Sequence, residues 1–143
     1  MSDQARGSDQ ARGSGQARGS GRARGLPPGW PPEVRPPGSD GWERSATAWL
    51  LDQCPPEYRG HRVVVRHPLV LAWLAGHHVT ASGEAVRRAL AQARAELAAD
   101  VPAPTLTALL EVLEAERVRL IAAHRAVTLV VDALRGHRYV PRL

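Results

Sequence analysis

The chain has no lysine, no phenylalanine and no asparagine, and only one cysteine and one methionine. Each gap excludes something. A lone Cys54 rules out an internal disulfide framework and a cysteine-cluster zinc site. It is in keeping with a reducing compartment, and a cytoplasmic location is expected. Without lysine, all basic side chains except histidine are arginines, so the pI of 10.9 reports arginine content more than a basic surface. Long apolar runs are missing too. The longest clean one is Leu69–Ala75, far short of the roughly 20 residues a membrane-spanning helix needs. The N-terminus lacks the apolar core of a signal peptide. There is no phosphate-binding glycine loop, no GxSxG and no HExxH. Abundant Ala, Arg, Gly and Pro beside these absences fit GC-rich coding.

What is present begins with SDQARGSDQARGSGQARGSGRARG over residues 2–25, one hexapeptide in four drifting copies. It contains five arginines and two aspartates, so +3 of the chain's net +5 lies there and the rest is close to neutral. Such a composition cannot bury enough apolar surface to offset the entropy of ordering. Residues 1–25 are therefore expected to be a disordered leader. An expanded repeat or an upstream start codon accounts for it. The functional alternative is an Arg-Gly tail on nucleic acid. Against that stand the absence of aromatics and the aspartates in the first two copies.

Residues 26–39, LPPGWPPEVRPPGS, contain six prolines, which exclude helix and strand interiors and favour an extended path. Trp30 and Val34 are its apolar residues, expected as anchors laid across helices, with a proline-rich ligand for a partner domain as the alternative. A helical domain over residues 40–143 follows, with helices about 40–53, 68–100 and 104–135. Asp40 fits an N-cap, with Glu43 at capping-box spacing. Trp49 and Leu50 are expected to point inward, and Pro55–Pro56 stops this first helix. HRVVVRH, residues 61–67, is too short to classify by period. Its three valines suggest a buried extended segment, paired with the C-terminal RYVPRL or acting as a connector.

Pro68 opens the second helix. Its heptad stripe is Leu69, Ala72, Gly76, Val79, Gly83, Val86, Leu90, Ala93 and Leu97. Thr80–Gly83 is a stretch of low propensity where this helix could bend. Val101–Pro104 breaks the chain. The third helix carries Leu106, Leu109, Leu113, Glu116, Leu120, Ala123, Val127, Val130 and Leu134, and Gly136 is a natural stop. So short a link makes the two long helices antiparallel. Leu97 then faces Leu106, Leu90 faces Leu113, Gly83 faces Leu120, Gly76 faces Val127, Ala72 faces Val131 and Leu69 faces Leu134. Small residues oppose large ones in several layers, as close-packed helices require. The fold class expected is all-α: a long antiparallel helical hairpin about 45 Å in length, plus a short N-terminal helix.

Two helices cannot cover stripes this broad, and the first helix can cover one end only. The uncovered apolar surface suggests a coiled-coil or four-helix dimer. Candidate chemistry is sparse. His77, His78 and His124 could approach one another, and histidine with carboxylate is a zinc set. Yet His77 and His78 point about 100° apart on a helix, so no metal and no cofactor is expected. Glu111, Glu114 and Glu116 form a solvated ionic face, with Glu114–Arg117 paired and Glu116 within reach of Arg87 or Arg88. Cys54 reads as a small buried residue at a helix end, not a nucleophile.

LPPGWPPEVRPPGSDGWERSATAWLLDQCPPEYRGHRVVVRHPLVLAWLAGHHV and the closing ALRGHRYVPRL resemble a family of small uncharacterised actinobacterial proteins. The resemblance covers Leu26–Leu143 and leaves out the hexapeptide repeat. It implies a bacterial cytoplasmic protein and assigns no functional residue. The expected function is therefore non-enzymatic, with no catalytic residues: a helical protein acting through protein–protein association, self-association included. The alternative is a nucleic-acid-associated protein using its arginine-rich leader. A metal- or small-molecule-binding protein at the hairpin comes third.

Overall fold

A computed structural model of the chain describes residues 25–142. The hexapeptide leader, apart from Gly25, lies outside the described residues. The fold is all-α: α1 (Trp42–Asp52), a 3-10 turn (Pro56–Gly60), α2 (Arg62–Arg66), α3 (Pro68–Leu97) and α4 (Ala103–Leu134). Among the described residues there is no strand.

The Pro-rich segment is irregular and advances through turns, with Trp30 N–H donating to Pro27 O and Val34 N–H to Pro31 O, each at 3.1 Å. Trp30 also donates its indole N–H to Val34 O at 2.8 Å. Val34 is buried in the core and Trp30 packs against it, so both serve as anchors. Helix α1 starts differently from the expectation. Its N-cap is Gly41 in a left-handed conformation, φ 73°, with no side-chain cap bond. Asp40 therefore does not cap it. Ser45 ties the two segments instead: its Oγ accepts from Arg35 N–H at 2.9 Å and donates to Trp42 O at 2.7 Å.

HRVVVRH is a second correction. It forms the one-turn helix α2, not an extended segment, and does not pair with the C-terminus. Pro68 at the start of α3 explains why α2 is short: proline can begin a helix but cannot supply the N–H that would continue the preceding one. Val64 is buried, whereas Val63 is exposed.

Helix α3 runs unbroken through Thr80–Gly83. Helix α4 ends at a Schellman motif around Gly136, φ 81°, where Gly136 N–H donates to Ala133 O and His137 N–H to Asp132 O. Packing between α3 and α4 dominates the tertiary structure, with α1 laid on α3. The core is concentrated where these three helices meet. Leu50, Leu71, Ala72, Ala75 and Val130 are fully buried there. Among the described residues, only two helices remain beyond Val79 and Leu120, and the buried apolar residues reduce to Ala93 and Leu106.

Candidate interaction surface

The hairpin has two broad sides. On one, Leu71 and Ala75 of α3 belong to the core that also contains Ala46, Trp49 and Leu50 of α1. The 3-10 turn is pinned to the same side: Tyr58 Oη and His78 Nε2 are hydrogen-bonded at 2.8 Å, with the rings edge to face at 5.2 Å. Among the described residues, the opposite side has no such cover.

The uncovered side has its own heptad stripe on α3. Leu69, Trp73, Gly76, Thr80, Gly83 and Arg87 follow one another at alternating spacings of four and three residues. Trp73 is 57 % exposed and Ile121 of α4 is 60 % exposed. Next to Ile121 the two helices leave a groove of about 320 Å³. Val79, Gly83, Leu120 and Ile121 give it an apolar floor, and Glu84, Arg87, Arg117 and His124 surround it. The floor is open at Gly83, where an added β-carbon would meet no atom within 4 Å.

The rim charges are already paired locally. Arg87 bonds Glu84 at 2.5 Å and Arg117 bonds Glu114 at 2.9 Å, both at i,i+3 spacing. The Arg87 guanidinium holds the Glu84 carboxyl below its ordinary value. Glu116 makes a two-pronged contact with Arg119, at 2.7 and 2.6 Å, and the expected bridge to Arg87 or Arg88 does not form. The geometry favours Arg119 because i,i+3 neighbours meet on one helix surface without spanning the hairpin. That hydrogen bond lowers the Glu116 carboxyl and raises the Arg119 guanidinium. Such exposed pairs add little stability.

The three candidate histidines do not converge. His78 faces Tyr58, His77 stacks edge to face on Trp73 at 4.4 Å, and His124 sits at the groove. Among the described residues no three or more His, Cys, Asp or Glu side chains are grouped to hold a metal. Cys54 is partly buried at the end of α1. Burial pushes its thiol above the ordinary value, with Arg59 opposing the shift.

Sequence reading overlooked Trp73 and Tyr58. Trp73 lies off the stripe that meets α4, but it falls on the second stripe, starting from Leu69. That second periodicity was the available signal. No protein-family model, no curated protein and no solved structure matches the chain. Among the described residues no helix is long and apolar enough to cross a membrane.

Proposed function

We infer that this is a non-enzymatic helical protein that acts by associating with protein chains through the uncovered side of its α3–α4 hairpin. The observation that carries this reading is the exposure of Trp73 and Ile121 on a face built by two helices alone. Isolated exposed apolar residues are common, but here the two share a side with an apolar groove that has a charged rim, the make-up of an interface. An exposed tryptophan has a large apolar area to bury and a polar N–H to direct it, which is why tryptophan concentrates at binding hot spots. A bacterial cytoplasmic setting is part of the same reading, supported by the actinobacterial resemblance and the unpaired Cys54.

The test compares the full chain with a Trp73→Ser/Ile121→Ser variant. Association is measured by sedimentation and by recovery of partners from the native cells, with helicity as the folding control. The reading requires association to fall while helicity holds. Association that ignores both substitutions would refute it.

A further inference from the structure

We propose that the occupant of the uncovered face is a second copy of this chain, related by a two-fold axis that lies between the two α3 helices at the level of His78, with Trp73 of each copy seated in the groove over Gly83 of the other. This rests on the association reading above and specifies its partner.

The face carries both halves of a match. Trp73 is a projecting knob, and the hollow at Gly83 has an open floor and a volume of about 320 Å³, ample for an indole. The two lie ten residues apart on one stripe of α3, about 15 Å along the axis. A knob and a hollow on the same surface cannot meet within one molecule, because α3 is a continuous helix. A two-fold axis midway between them brings them together twice, which is the self-complementarity an isologous interface needs. The α3 helices of the two copies then run antiparallel, with Gly76 of one opposite Thr80 of the other. Both residues are small, so the backbones can approach closely.

The charges fit as well. Glu84 at the groove can accept the indole N–H of the incoming Trp73, and the adjacent Arg87 guanidinium can lie against its ring. On α4, Ile121 comes to the level of the partner's Thr128, which covers its exposed side chain. The face between Leu69 and Leu90 is about 30 Å long and about 20 Å wide, a footprint of about 600 Å², the lower end of what each partner buries in a specific interface.

The experiment uses the full chain in a Cys54→Ser background. Sedimentation equilibrium from low micromolar to about 100 µM measures the dimer constant. Trp73→Ala is expected to weaken the dimer by about 30-fold or more. Gly83→Leu fills the hollow and lies on its Val79–Leu120 floor, and the open space at Gly83 gives the new side chain room, so it should give a folded monomer. In a second readout, chains with Gly76→Cys and chains with Thr80→Cys are mixed under mild oxidation. A disulfide joining the two kinds of chain is predicted, and none with Val118→Cys in place of Thr80→Cys. A dimer that tolerates Gly83→Leu and forms no such disulfide overturns this arrangement while leaving association standing. A wild-type chain that stays monomeric but binds a different protein through this face overturns the second-copy proposal alone. A chain that associates with nothing overturns both.

Discussion

A β-carbon added to Gly76 would stand 3.7 Å from Cγ1 of Val127, so these two residues are direct neighbours across the hairpin. The contact fixes the register of α3 against α4. It also separates two uses of glycine on one helix. Gly76 abuts α4, whereas a β-carbon added to Gly83, two turns on, would meet no atom of the described residues within 4 Å.

Gly76→Ala is therefore tolerated. A separation of 3.7 Å is ordinary van der Waals contact, and alanine is a better helix former by up to about 1 kcal/mol. Urea unfolding should show equal or greater stability. A loss above about 1 kcal/mol would mean that the helices are packed more tightly at this level than the structure has them.

Gly29→Ala should behave in the opposite way. Gly29 has φ 94°, where a side chain is strained, and its added β-carbon would lie 2.6 Å from Arg125 Nε. Arg125 donates that same N–H to Pro28 O at 3.0 Å, which fastens the Pro-rich segment to α4. A loss of about 1–3 kcal/mol is expected, with tryptophan fluorescence reporting release of Trp30. Unchanged stability and fluorescence would show that the segment is not held there.

Much of the hairpin could be read from the sequence because its signals agree. The heptad stripe, the Val101–Pro104 break and the Gly76–Val127 pairing all follow from spacing. The stripe and the pairing appear in the structure, and the break falls slightly earlier, between Leu97 and Ala103, with Pro104 in the first turn of α4. The failures have physical reasons. Asp40 has cap chemistry, but Gly41 adopts the left-handed turn that starts α1 one residue later. Three valines favour a strand, yet a strand needs a partner, and the C-terminal residues His137–Val140 lie beside Leu26, Pro27 and Trp30 instead. Trp73 was missed because a single stripe per helix was sought, whereas α3 carries two.

Stability should be unequal along the hairpin. Leu71 lies fully buried among α1, α3 and α4, while Leu109 lines an open hollow near the tip. Leu71→Ala should cost about 2–5 kcal/mol and Leu109→Ala less than about 1.5 kcal/mol. Hydrogen exchange in the monomeric Gly83→Leu variant should be faster around residues 90–110 than around residues 68–80. Uniform protection would contradict a core confined to one end.

Cys54 offers a pH test. Burial disfavours its thiolate, so alkylation of the native chain at pH 8 should be slower than in urea and should climb only above the ordinary thiol range. The sign carries over to stability: the contribution is complete below the unfolded thiol value and is lost as pH rises through the raised folded value. Equal rates in native and unfolded chains would show that Cys54 is not shielded.

The central claim is that the uncovered hairpin face is an interface between copies. Sedimentation equilibrium of the full chain beside its Gly83→Leu variant tests it most directly. A concentration-dependent dimer for the first and a folded monomer for the second are predicted. Two monomers, or two dimers of equal strength, would contradict it.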